Sequence, residues 1–252
     1  MWSKTIGTAI WGALLGALPA HAADFAPPAG CEVFMTVQMH NCQVANHYRC
    51  AADPAGDQWA AYSDGNGLYY VSHIDGETRW LESLATETGE VELLDTAASG
   101  DLPSFSTLLS TGKDDYDFVT RSNFGESRRY RGTDRLTGKS IKIDDVLLET
   151  ISFELREETG AGEPISNRSG TQYISRKERL FLSGPERFES ADGEVATFDD
   201  SPARFDFPGD PGFSSQTPEY DCDMMMTGAP GAAQTLIRFT PNSRSFSKEA
   251  LR

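Results

Sequence analysis

Residues 31–50, CEVFMTVQMHNCQVANHYRC, hold three of the four cysteines and two of the four histidines, and their reading decides the fold. Glu32 to Met39 and Cys42 to Cys50 are rich in Val, Phe, Thr and Tyr, with His40-Asn41 between them, which predicts a β-hairpin. A two-residue turn would set Met39 against Cys42 and, counting outward, Cys31 against Cys50. That register makes Cys31–Cys50 the natural local disulfide and leaves Cys42 for Cys222, although four cysteines allow three connectivities. The same count makes 31 and 50 a hydrogen-bonded pair, the wider of the two kinds in an antiparallel ladder.

Upstream, MWSKTIGTAIWGALLGALPAHA places Lys4 before an apolar run that ends at Pro19 and a small-residue Ala20-His21-Ala22 pattern. Residues 1–22 therefore read as a secretory signal peptide that is cleaved, the run being short for a membrane span. Residues 23–30 form an extended leader, since Pro27-Pro28 excludes a helix across them. In an oxidising compartment four cysteines predict two disulfides, and the absence of Cys-x-x-Cys argues against a thiol oxidoreductase. The expected location is the periplasm or the secreted fraction, with no transmembrane segment in the mature chain.

Downstream of the hairpin, short strand-like pieces alternate with turn residues. Gln58 to Tyr62, Leu68 to Ser72, Thr78 to Leu84 and Val91 to Leu94 are separated by Asn66-Gly67, Asp75-Gly76 and Thr88-Gly89, a meander of antiparallel strands. One helix is expected, Leu102 to Ser110, with Asp101 as N-cap and Gly112 past its end. Strands resume at Tyr116 to Thr120, Arg128 to Leu136, Ser140 to Ile143 and Val146 to Glu157. In the last, Leu147, Ile151, Phe153 and Leu155 share one parity, which predicts one buried and one wet face. Thr159 to Asn167 reads as a loop, Arg168 to Ile174 with Glu178 to Ser183 as a hairpin, and Glu194 to Phe198 as a further strand.

From Asp199, four prolines before Cys222 exclude a central strand and predict an ordered crossing segment fastened by a disulfide. Gln234 to Thr240 reads as a last strand and 241–252 as a polar tail. The whole is a single β-rich domain over 31–240: one antiparallel curved sheet or partly open barrel with one short helix and a disulfide-pinned, proline-rich loop. In outline this is similar to the half-barrels of exported carrier proteins, a likeness of architecture rather than of motif.

The formal charge of −16 would repel nucleic acid and anionic lipid surfaces. Gly132 to Ser140 ends in Gly-Lys-Ser but has five residues between its glycines where a phosphate loop has four, so Thr137-Gly138 reads as a hairpin turn. No catalytic set stands out, no cofactor is implied, and the expected function is non-enzymatic binding of an apolar ligand or a partner protein. One alternative is a soft-metal, copper-type site using Met35, Met39, His40 and His47, since thioether and imidazole together suit Cu(I). Another is a hydrolase built on paired carboxylates, with candidates at Asp114-Asp115, Asp117, Asp144-Asp145 and Asp199-Asp200, which would require two buried acids to converge in a pocket.

Overall fold

In the computed structural model, residues 24–223 are described. The expected signal segment, the Gln234–Thr240 strand, the 241–252 tail and Met224 to Met226 lie outside the described residues.

Fourteen strands and one helix follow in chain order. β1 (Cys31–Met39), β2 (Gln43–Cys50), β3 (Gln58–Asp64), β4 (Gly67–Ile74), β5 (Trp80–Ala85) and β6 (Glu90–Leu94) form a meander, each antiparallel to the last. Helix α1 (Phe105–Thr111) interrupts it, after which β7 (Lys113–Ser122), β8 (Ser127–Ile143), β9 (Val146–Thr159) and β10 (Pro164–Ser175) continue the same sheet. β11 (Leu180–Leu182) and β12 (Pro185–Ser190) both pair with β10, β13 (Val195–Asp199) pairs with β12, and β14 (Pro202–Asp206) returns to pair with β1.

This topology fixes the curvature. β13 and β14 are opposite edges of the sheet, yet only Asp200 and Ser201 link them. Three Cα steps span about 10 Å at most, so the sheet must curl until its ends meet. The two edge strands do not pair with each other, and the sheet is not a closed barrel. Curling brings Met35, Val37, Met39 and Ala45 of β1 and β2 against Leu148, Tyr173, Leu180 and Leu182 of β9 to β11, with Phe205 of β14 completing this core cluster. The turn between β8 and β9 reaches β14, where Asp144 accepts the Phe205 amide proton at 3.2 Å.

The helix plugs one end of the curl, burying Phe105 and Leu108 against Phe118, Tyr130, Ile151 and Ile174. It starts later than the sequence suggests. Ser104 is the N-cap, its Oγ accepting the Thr107 amide proton at 3.1 Å, because Asp101 is held in a bridge to Asp117.

The β1–β2 hairpin also differs from the simple count. Its loop contains three residues, so Met39 pairs with Gln43, and a bulge between Val33 and Met35 restores the pairing of Cys31 with Cys50. Asn41 and Cys42 adopt φ of 62° and 56°, the left-handed values that let the loop close. Thr137-Gly138 is a bulge inside β8 and no hairpin turn. Leu136 pairs with Ile151 and Ser140 with Glu149, so residues 137–139 oppose Thr150 alone. The expected 159–167 loop is shorter, since β10 begins at Pro164.

Two disulfides, Cys31–Cys50 and Cys42–Cys222, staple the β1–β2 end. The second spans 180 residues and fastens a strap running from Phe207 to Cys222 across the outer face of β1 and β2. There Thr36, Gln38 and Asn46 are wholly buried, and the strap satisfies them. Gln38 donates to the Thr217 carbonyl and accepts from the Glu219 amide, both at 3.0 Å, while Asn46 donates to the Ser215 carbonyl at 2.8 Å. Among the described residues, no helix is long and apolar enough to cross a membrane.

Candidate functional site

Side chains alternate across a strand, so the residues facing the inside of the curl can be read from the register. One row crosses five strands: His47 on β2 stands beside Ala60 on β3, Ser72 on β4, Ser83 on β5 and Glu92 on β6. Between the two titratable ends the side chains are small. A cavity of about 100 Å³ lies at the His47 end, lined by His47, Ala60, Ser72, Tyr62, Ile74 and Trp80 from the sheet and by Leu180 and Phe181 of β11. Gln58, Trp59 and Thr78 complete the lining, which contains no carboxylate, ammonium or guanidinium.

The turn from β10 into β11 roofs this cavity and is tied down at three places. Gln58 Nε2 donates to the Glu178 carbonyl at 2.6 Å, Arg49 pairs with the Glu178 carboxylate at 2.9 Å, and Arg179 Nε donates to the Gly76 carbonyl at 2.7 Å. Trp80 has 42 % of its surface exposed while its ring packs edge-on against Phe118 and Tyr130, which places it at the open side of the cavity.

His47 is the chemically unusual member. It is 5 % exposed, and its Nε2 is the one buried side-chain nitrogen or oxygen among the described residues that finds no hydrogen-bond partner. Buried polar atoms are normally paired, since an orphan costs about 1–3 kcal/mol. Burial, reinforced by the Arg49 charge, lowers the imidazole pKa to about 4, against a partly opposing pull from Glu178. At neutral pH the ring is uncharged and can offer one donor and one acceptor.

The four soft-ligand candidates divide. Met35 is the cross-strand partner of His47, and Met39 belongs to the same buried cluster as Met35. His40 stands apart at the hairpin loop, its Nδ1 2.6 Å from Asp221. Among the described residues, no group of three or more His, Cys, Asp or Glu is arranged to hold a metal ion.

The far end of the row is saturated with charge. Arg128 on β8 contacts Glu92 at 2.5 Å, Glu90 at 2.9 Å and Glu157 at 3.8 Å, while Ser166 donates to Glu157 at 3.0 Å. Burial raises the pKa of Glu92 and Glu157 even so. Burial also opposes the guanidinium charge, but Glu92, Tyr130, Glu90 and Glu157 together raise the Arg128 pKa.

Of the acidic candidates, the structure brings Asp114 face to face with Asp134, an acid not singled out in the sequence. Both are buried, and burial with the Asp114 charge pushes Asp134 up to about 7. Neither lines the His47 cavity. Asp114 accepts the Ser104 amide proton at 2.8 Å. The other candidates hold structure: Asp117 grips Arg129 at 2.6 Å, Asp115 accepts from Thr133 at 2.6 Å, Asp145 pairs with Lys142 at 2.6 Å, and Asp200 accepts from Asn41 at 3.0 Å and Gln43 at 2.9 Å. Asp144 accepts the Phe205 amide proton inside β14, and Asp199 accepts from the Ser201 amide at 3.1 Å.

Sequence reasoning singled out His47 but not its surroundings. Ala60, Ser72, Ile74 and Trp80 come from three further strands, and Phe181 arrives from across the curl. The available signal was faint: Ala60, Ser72 and Ser83, one small residue at a matching register position in each of β3 to β5. Comparison with protein-family models, with curated proteins and with solved structures finds no match for this chain.

Proposed function

We propose that this is an exported, non-enzymatic binding protein that receives a small apolar ligand, or the apolar end of a larger one, inside its curled sheet. The observation that carries the reading is the cavity beside His47, walled by Tyr62, Ile74, Trp80, Leu180 and Phe181 and free of charged side chains in a chain of formal charge −16. Its volume of about 100 Å³ limits the occupant. Pockets for drug-sized ligands run to about 300–1,000 Å³, whereas an engineered apolar cavity of about 150 Å³ takes benzene. The space is smaller than that, so the occupant is at most a single ring or a short branched alkyl group with its edge at the open side beside Trp80, and a whole acyl chain does not fit. Export is supported by the Lys4-led apolar run before Pro19 and by two disulfides that an oxidising compartment would preserve.

Native mass spectrometry of protein recovered from the exporting cell's periplasmic or secreted fraction tests the reading. A small molecule should accompany the folded chain and be missing from Ala60→Leu, which fills the cavity while leaving His47 in place. Identical spectra for the two proteins would refute it.

A further inference from the structure

We infer that the ligand of this cavity is an uncharged, hydroxyl-bearing ring of about phenol size, hydrogen-bonded to Nε2 of His47. The inference rests on the ligand-binding reading above and adds the chemical class.

Four observations converge on it. The first is the orphan atom: His47 lines the cavity and its Nε2 is buried without a protein partner, so an occupant that reaches it from the cavity would complete it. The second is charge. No Asp, Glu, Lys or Arg faces the cavity, so a carboxylate or ammonium entering it would be desolvated without compensation. The third is size: about 100 Å³ is less than the about 150 Å³ that takes benzene, so the space admits no more than one ring, and that only with its edge at the open side beside Trp80. The fourth is the character of the wall. Trp80, Tyr62 and Phe181 offer aromatic surface to a flat guest, while Ala60 and Ser72 leave the room it occupies.

A hydroxyl is the group that fits best because it both donates and accepts. It can therefore satisfy Nε2 whichever ring nitrogen carries the proton. A site that hydrogen-bonds a substrate hydroxyl also rejects the analogue lacking it, because that analogue leaves the buried nitrogen unpaired. The rival occupant is ordered water, which can complete a buried polar atom in a cavity this large.

The test uses the full mature chain with both disulfides intact, titrated with phenol, toluene and benzoate at neutral pH and followed by calorimetry and thermal shift. Phenol should bind about tenfold more tightly than toluene, the discrimination expected when one buried hydrogen bond decides. Benzoate should not bind. His47→Phe should bring phenol and toluene to about equal affinity, and His47→Gln, which keeps a hydrogen-bonding group, should restore part of the preference for phenol. Circular dichroism establishes that each variant folds, and should His47→Phe fail to fold, the phenol-to-toluene ratio of the wild-type and Gln proteins still decides.

Toluene binding as tightly as phenol would overturn the inference and leave the apolar-cavity reading standing. Binding of neither would overturn both. Equal phenol binding by wild-type and His47→Phe would place phenol elsewhere and overturn the inference alone. So would a crystal soaked in phenol that shows an ordered water only on Nε2.

Discussion

His47 and Glu92 occupy the two ends of one interior row, four strands apart, and the fold treats them in opposite ways. Glu92 is bound by Arg128 and Thr120, inside a knot that also holds Glu90 and Glu157. His47 is stripped of charge by burial, and its Nε2 is left without a partner. Both ends remove polar groups from water, but only one is complete. The charged end is finished architecture, whereas the imidazole end keeps an unpaired ring nitrogen beside the cavity walled by Tyr62, Ile74, Trp80, Leu180 and Phe181. The difference teaches that in this sheet the candidate position is marked by what is missing around it more than by the residue type.

The largest effect should come from breaking the complete end. Arg128→Met leaves three carboxylates facing one another in the interior, and losing one partner of a buried charge cluster costs about 3–5 kcal/mol. Urea unfolding should show an unfolding free energy lowered by that amount and an earlier midpoint, with part of the loss recovered when Glu90 and Glu92 are also changed to Gln. A midpoint unchanged in Arg128→Met would mean that the knot is not the buried cluster described.

Two buried titratable groups, Asp134 and His47, should next separate by pH. Asp134, paired with Asp114 near the helix, has its folded pKa raised from 3.8 to about 7 by burial and by the Asp114 charge. A raised folded pKa means that the folded state holds the proton more tightly, so this contribution is full below pH 3.8 and is lost as pH rises to about 7. Asp134→Asn should therefore be more stable than wild-type at pH 8, by about 2–4 kcal/mol, and nearly equal to it at pH 4.

His47 runs the other way. Its folded pKa is depressed from 6.5 to about 4, so the unfolded chain takes up the proton first, and stability falls as pH drops from 6.5 towards 4. That loss reaches about 3 kcal/mol at the acid end, and His47→Phe should abolish it. Thermal denaturation from pH 4 to 8 for the wild-type and both single variants reads the two limbs independently. Should both variants keep the wild-type profile, the contrast between the two groups would have no energetic content.

Much of this arrangement was legible in the sequence. Asp-Gly and Asn-Gly turns punctuated β3 to β6, and the parity of Ile151, Phe153 and Leu155 marked the buried face of β9, whereas Leu147 of the same parity is 71 % exposed and Leu148 is buried in its stead, before the point where the β8 bulge opposes Thr150. The bulges were not legible. Thr137-Gly138 has the letters of a hairpin turn, and Gly138 does adopt φ of 73°, but Thr137 Oγ1 donates to the Thr150 carbonyl at 3.0 Å and keeps the chain in the ladder. β12 and β14 were hidden because each begins with proline, at Pro185 and Pro202, the first strand position, where the missing amide is tolerated. The cavity was the least visible feature, since it depends on the curl that carries Leu180 and Phe181 of β11 over His47. No local pattern encodes that approach.

The smallest predicted effect concerns the helix. Ser104 caps it, and its backbone amide donates to Asp114, so one residue joins the helix start to the acid pair. Glu77 adds a second tie, accepting from Ser104 Oγ at 3.1 Å and from the Ser106 amide at 2.9 Å. Burial alone would raise its carboxyl, but bonds from Ser106 and Ser104, with the Arg179 charge, hold it low. Ser104→Ala removes the hydroxyl that serves both the cap and Glu77 while keeping the amide on Asp114, and should cost about 1 kcal/mol. Because the amide remains, the Asp134 limb of the pH profile should survive in this variant, so a loss of that limb would show that the cap, rather than the buried acid pair, sets the pH response of Asp134.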